Sequence, residues 1–385
     1  MKSKSKLSNL CYFAEGRIPV YDLSVDTYIS TENMLPNKEG IAQSNGLPSV
    51  AQTQSYKIDD VLVSNIRPYF RKIWLADRDG GCSNDVLVFR AKNNCDPGFL
   101  YYLLSNNTFF DYATSTSKGT KMPRGDKRAI MEYEVPELPL DVQHAISKVL
   151  SALEARIIVN KKINHHLEQM AQAIFKSWFV NFEPFGGEMP YDWRKGILGD
   201  ILQSIKQPIK AGERTELPYV PIDTIPMNSL ALTDFRPNQE AQSSLLAFEK
   251  NDILIGAMRV YFHRVSIAPF DGITRTTCFI LRPRERVYLE YALLLCNEDS
   301  TIDFAQNTSK GSTMPYAVWD NGLANLPIVI PTFDVVQEFS HTLCPIIEKL
   351  RDSLFEIRHL CSLRDSLLPR LMSGEISVAD LYDAK

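Results

Sequence analysis

"TSKGTKMP" at positions 116–123 returns as "TSKGSTMP" at positions 308–315, 192 positions later. An isolated echo would leave its neighbours behind, whereas an internal repeat keeps them in register. Here the neighbours follow. "DVLVSNIRPYF" (60–70) falls over "DILIGAMRVYF" (252–262), aligning Asp60, Leu62, Arg67, Tyr69 and Phe70 with Asp252, Leu254, Arg259, Tyr261 and Phe262. Asp79, Gly80 and Arg90 fall on Asp271, Gly272 and Arg282, and "FDYA" (110–113) falls on "IDFA" (302–305). Between 60 and 123 there are 18 identities in 64 gapless positions. The chain carries one domain twice, and weaker similarity places the starts of the copies near "LSNL" (7–10) and "LGDI" (198–201).

Each copy is followed by an uninterrupted apolar-periodic segment. In the first, Ile146, Leu150, Leu153, Ile157, Leu167, Ala171, Ile174 and Trp178 recur at spacings of three and four, with Asn160 and Asn164 at the centre of the seam. That narrow stripe predicts a coiled-coil helix over 140–182, roughly 60 Å long, after Pro139 and with Asp141 as N-cap. In the second, Phe339, Leu343, Ile346, Leu350, Ile357, Leu360, Leu367 and Leu371 continue the pattern. Asp334 with Gln337 fits a capping box, Pro345 is expected to start or kink the main helix, and Pro369 with Gly374 to end it. Two such stripes are buried most economically against each other, antiparallel. Within each repeat, "DVLVS", "DVLVFR", "DILIG" and "TCFILR" read as buried strands, and "FLYYLLSNNTFFDYA" and "YALLLCNEDSTIDFA" as short helices. The expected fold class is α+β: two mixed α/β domains joined by two long antiparallel coiled-coil helices with pseudo-two-fold symmetry. Its boundaries are 1–140, 141–182, 183–332 and 333–385.

The 385 residues, 44% apolar, suffice for two or three domains with real cores. Seven cysteines without a CxxC pair or a secretory leader read as reduced thiols of a cytoplasmic protein. A net charge of −4 excludes a uniformly basic coat but not a local basic face. No GxGxxG after a strand, Walker loop, HExxH, GxSxG elbow or base-methylase Asn/Asp-Pro-Pro-Tyr/Phe quartet occurs, so no catalytic residue, metal or cofactor is assigned. His165 and His166 sit mid-helix, on what reads as a solvated face.

What the copies share is donors in turns. Lys118 and Gly119, and Lys310 and Gly311, put an ammonium beside a residue that takes positive φ, a combination suited to phosphate. The first loop extends to "TSKGTKMPRGDKR", with Lys121 and Arg124 among five basic residues against one acid. Arg67 with Tyr69, and Arg259 with Tyr261, follow a buried strand, and Arg71 and Arg264 keep basic character beyond them. Arginine reads guanine bidentately and tyrosine bonds phosphate or stacks. The competing readings are an ordinary solvated loop, and Arg67 and Arg259 paired with Asp60 and Asp252. "LADRDGGCSND" and "IAPFDGITRTT", the latter carrying Arg275, are equivalent in position yet unlike in chemistry, as are Lys121 and Thr313. That is how one scaffold would read two sequences. Over 60–128 there are 11 basic and 7 acidic residues, against 7 and 8 over 252–320.

"ISTENMLPN", "VSNIRPYFRKIWLAD", "SKGTKMP", "ALEARIIVNKKINHHLEQMAQAIFKSWF" and "RDSLLPRLMSGEI", in this order, resemble the specificity (HsdS-like) subunits of type I restriction-modification systems. The resemblance implies that each repeat is a target recognition domain reading one half of a split, asymmetric double-stranded DNA site. It implies that the helices set half-site spacing and dock methyltransferase subunits, which would bind S-adenosylmethionine and methylate adenine. Restriction subunits would add ATP-driven translocation and cleavage. The family's loop Lys-Gly falls on Lys118, Gly119, Lys310 and Gly311, and its strand-end arginine on Arg67 and Arg259. The equivalent subunit of a type II enzyme, and a coiled-coil scaffold with protein-binding ends, are the alternatives.

Overall fold

The computed structural model describes residues 4–232 and 234–378, so the outermost residues of the expected first and last domains lie outside the described residues. The chain forms two compact units, one containing residues up to 156 together with those from 360 on, the other spanning 157–359. The division falls inside each long helix.

In the first unit a four-stranded antiparallel sheet has the order Cys11–Phe13, Val86–Ala91, Val61–Ser64, Ile73–Leu75. In the second the order is Leu202–Ser204, Cys278–Pro283, Ile253–Gly256, Val265–Ile267. Val61 lies opposite Phe89 and Leu75, and Ile253 lies opposite Leu281 and Ile267. These are the same partners displaced by the sequence repeat. A strand alternates its faces, and both faces are covered here. Val61, Val63, Leu87 and Phe89 pack with Phe99, Leu103 and Phe109 of the short helices Pro97–Ser105 and Asn107–Ser115. Leu62, Val86 and Val88 pack on the other side with Ile29, Met34 and Tyr56. A one-residue slip would exchange the two cores, which is why register survives where identity does not.

The second layer is a smaller sheet, ordered Arg17–Pro19, Gln52–Tyr56, Gly80–Cys82, Tyr28–Ile29 in the first unit and Pro208–Ile209, Leu245–Phe248, Gly272–Arg275 in the second. The shared glycine has a steric cause. A Cβ on Gly80 would stand 2.5 Å from the Tyr56 hydroxyl oxygen, and one on Gly272 2.4 Å from Cζ of Phe248.

The two long helices are Leu140–Phe179 and Phe333–Ser373. Their pairing is antiparallel within each unit. In the second, Phe179 meets Phe339 edge to face at 4.7 Å and Asn164 Nδ2 donates to Ser353 Oγ at 2.6 Å. In the first, Glu154 faces Arg364 at 3.9 Å. Towards its end the first helix buries more than the narrow seam. Phe175 and Phe179 pack on Tyr291 as well as on Phe339, because the helix covers the domain and its partner helix together. On the second helix Ile347 is fully buried and Ile346 only partly.

Several helix ends differ from the sequence expectation. The Pro139 carbonyl accepts the Gln143 N–H, so Asp141 sits inside the first turn. The Thr332 carbonyl accepts the Val336 N–H, placing Asp334 likewise inside. Both acids then favour the positive end of the helix dipole. The first helix stops at Phe179 rather than 182, where the Asn181 N–H turns back to the Lys176 carbonyl and Phe182 takes φ +54°. Pro345 neither starts nor ends the second helix. It is exposed, so the carbonyl of residue 341 that it leaves unbonded faces solvent. Gly374, at φ +68°, makes the stop.

None of the seven cysteines forms a disulfide. Burial pushes the thiols of Cys82, Cys95 and Cys296 up to about 12. Among the described residues no helix is long and apolar enough to cross a membrane.

Glu168 of the first long helix is buried and accepts from Ser229 Oγ, Leu230 N–H and Ala231 N–H at 2.7, 2.9 and 3.1 Å. Desolvation raises its pKa despite these donors. Its favourable linkage contribution is therefore present below the ordinary carboxylate range and lost as pH rises through the folded value. Glu168→Gln keeps an acceptor without the charge. It is expected to raise the urea midpoint at pH 7, with the gain shrinking as the pH is lowered towards 4; a gain independent of pH contradicts the assignment.

Candidate nucleic-acid interface

The strand Val61–Ser64 leaves its sheet into a single 3-10 turn, Pro68–Phe70, and the strand Ile253–Gly256 does the same at Val260–Phe262. Each turn is bracketed by non-glycine residues in the left-handed region: Arg67 at φ +50° and Arg71 at +52°, Arg259 at +49° and His263 at +50°. Such residues cost on the order of 1–3 kcal/mol each and persist only where the surroundings impose them. Here the surroundings do. The Phe70 and Arg71 N–H groups return to the carbonyls of Arg67 and Pro68, and the carbonyls of Phe70 and Arg71 accept from Asn37 and Lys38 N–H at 2.9 Å. In the second unit Phe262 and His263 return to Arg259 and Val260, and the His263 carbonyl accepts from Asn228 N–H. The result is a projecting aromatic pair, Tyr69 with Phe70 at 4.8 Å and Tyr261 with Phe262 at 4.9 Å. All four rings are exposed, the tyrosines by 49% and 47%.

The Lys-Gly loops close on themselves. Lys118 and Arg124 exchange both backbone hydrogen bonds at 2.9 Å, as do Lys310 and Tyr316. Gly119 and Gly311 turn the chain at φ +98° and +88°. Loop and turn then meet. The Arg67 N–H donates to the Pro123 carbonyl at 2.8 Å, and the Gly125 N–H donates to the Asn65 carbonyl at 3.2 Å. In the second unit Arg259 N–H donates to Pro315 and Ala317 N–H to Ala257, at 2.9 and 2.8 Å. Two motifs some fifty residues apart in sequence thus form one surface, and each unit has it.

The shared aspartates do not pair with these arginines. Asp60 is gripped by Arg90 at 2.7 and 2.6 Å, and Asp252 by Arg282 at 2.7 and 2.8 Å. Both carboxylates are buried and also cap a turn, accepting from Lys57 and Glu249 N–H. Arg90 and Arg282 had been visible only as repeat identities, with nothing in their spacing to name the partner. Arg67 instead keeps a buried Nε with no hydrogen-bond partner within the protein, and Asn65 Oδ1 is likewise unpartnered.

The cations differ between units. Arg71 donates to Asn107 and faces Asp111 at 3.6 Å, Lys118 pairs with Asp126 at 2.5 Å, and Arg124 pairs with Asp85 at 2.9 Å. Lys118 draws the Asp126 carboxyl down to about 2, helped by the N–H groups of Ala129 and Arg128 that it caps. Lys121 is exposed. In the second unit the positions of Asp126 and Asp85 are Val318 and Thr277. Among the described residues Arg259, Arg275 and Lys310 have no carboxylate in ion-pair range, while Arg264 donates to the Ile225 carbonyl and lies over the Phe262 ring. The second loop carries fewer charges, and fewer of them are neutralised.

Two copies of one α+β module, each followed by a long helix and each presenting the same backbone-tied pair of turns, define an internally duplicated two-surface protein. The comparisons with known proteins agree. The model of the type I restriction modification DNA specificity domain matches residues 3–169. The chain is 28% identical to the type I restriction enzyme MjaIX specificity subunit of Methanocaldococcus jannaschii, over 74% of this chain and 70% of that one. It is 24% identical to the HindI specificity subunit of Haemophilus influenzae, over 91% and 94%. In fold it is similar to the S subunit of a type I restriction-modification system from M. genitalium, with a TM-score of 0.60 over 96% of both chains at 16% identity. Residues 3–169 thus match the specificity domain of type I restriction-modification systems, and over most of its length the chain is similar to type I restriction enzyme specificity subunits.

Arg282→Met leaves Asp252 buried without its cation. A loss of about 3–5 kcal/mol is expected, measured by urea unfolding; a loss below about 1 kcal/mol would mean that the carboxylate is held by its backbone donors alone.

Proposed function

We propose that this chain is the sequence-specific DNA-recognition subunit of a type I restriction-modification complex. Residues 1–140 and 183–332 each read one half of a split, asymmetric site. The helical segments 141–182 and 333–385 set the half-site spacing and dock methyltransferase subunits. Adenine methylation and ATP-dependent restriction belong to those methyltransferase subunits and to restriction subunits, and the complex works in the cytoplasm.

One observation carries this reading: the strained aromatic turn and the Lys-Gly loop are joined by equivalent hydrogen bonds in both units, although most residues around them differ. A folding requirement alone would explain the bonds. It gives no reason to expose a tyrosine, a phenylalanine and a lysine in each copy. Aromatic faces stack on or bond nucleotides, and lysines beside open backbone suit phosphate. The names of the relatives, all type I specificity subunits, favour that system over its type II counterpart.

Contact with about six phosphates would cost roughly a thousandfold in affinity between 50 and 200 mM salt. Fluorescence anisotropy of the full chain on a duplex is expected to show that slope, and Lys118→Glu with Lys310→Glu to flatten and weaken it. Affinity unchanged by salt and by both reversals would instead support a protein-binding scaffold.

A further inference from the structure

The surface just described repeats its backbone and its phosphate-type donors, so it offers little to tell one base sequence from another. Discrimination has to come from positions that the repeat holds in the same place but fills differently. One such place adjoins the surface in both units. The Asn65 N–H donates to the Asp85 carbonyl at 2.8 Å, and the Ala257 N–H donates to the Thr277 carbonyl at 2.8 Å. Residues 85 and 277 are thereby fixed two residues from the strained arginines at 67 and 259. Both follow the strand that contains the sterically required glycine, Gly80–Cys82 or Gly272–Arg275. Side-chain chemistry then diverges completely: Ser83 and Asp85 in the first unit stand where Arg275 and Thr277 stand in the second.

In the first unit this strand exit forms one wall of an open cleft of about 480 Å³, with Glu32, Gln43 and Asn45 on the other side. The lining is rich in hydroxyls, amides and acids, and one of those acids, Asp85, is bonded by Arg124. Such groups match base edges: amides pair with adenine, and carboxylates accept from the cytosine amino group. In the second unit Arg275 ends its strand exposed and without a carboxylate in range among the described residues, which is the condition for a bidentate bond to guanine.

We propose that the strand exits at 83–85 and 275–277 are the base-reading positions of the two units, Ser83 and Asp85 with Asn45 in the first and Arg275 in the second, while the Lys-Gly loops hold phosphates. This rests on the DNA-recognition reading above and assigns within it which residues choose the sequence.

The test is selection of bound duplexes from a randomised pool by the full chain, followed by sequencing. Wild type is expected to enrich a two-part motif. Arg275→Ala, an exposed site whose loss leaves the core intact, is expected to reduce preference for guanine at one position on the order of 10- to 100-fold, leaving the other part unchanged. Ser83→Arg with Asp85→Thr, which transplants the second unit's chemistry, is expected to alter only the opposite part. Unaltered motifs in both variants would overturn the assignment while leaving DNA recognition intact. Failure of wild type to enrich any motif, with no duplex binding at all, would overturn both.

Discussion

The N–H of Arg67 bonded to the Pro123 carbonyl, and that of Arg259 to Pro315, is the constraint on which the exposed chemistry depends. Without it the left-handed arginine would relax, since L-residues avoid that region by 1–2 kcal/mol or so. The turn would then lose its direction and the Lys-Gly loop its anchor. With it, two short motifs of unrelated sequence become one rigid presentation of rings, ammonium groups and open backbone. The strain is imposed in both units at the same positions, and such strain is found where a surface is held ready for a partner.

Beneath that surface lies the buried Asp–Arg pair of each unit. Asp60 and Asp252 cap the turn entering the central strand and hold an arginine from its neighbour. That fixes the register of the strand whose exit makes the surface. Breaking such a pair costs more than forming it stabilises, so it acts mainly to specify one arrangement. The difference between the units is built on top. The first neutralises Lys118 and Arg124 with its own acids, whereas in the second Lys310 has no carboxylate in ion-pair range among the described residues. Charge totals along the sequence therefore overstate how much more cationic the first surface is.

Much of this was legible in the chain. The repeat gave the duplicated strands and helices directly, because register is conserved by two cores that a slip would exchange. The long helices were readable from their stripes. Their ends were not, since Pro139, Thr332 and the Asn181 turn act through backbone carbonyls that no side chain advertises. Pro345 does not start the second helix, because a proline on a solvent face has no carbonyl to strand in the core. At the site, Lys118, Gly119 and Arg67 could be singled out by duplication, but that they touch could not. Nor could the partners of Arg90, Asp126 or Glu168, which come from distant segments through tertiary packing alone.

Backbone hydrogen exchange of the full chain with and without duplex DNA tests the central claim most directly. Slowed exchange is expected in both units together, at 67–71 with 118–124 and at 259–263 with 310–316. Protection confined to one unit, or found only along the long helices, would contradict the account.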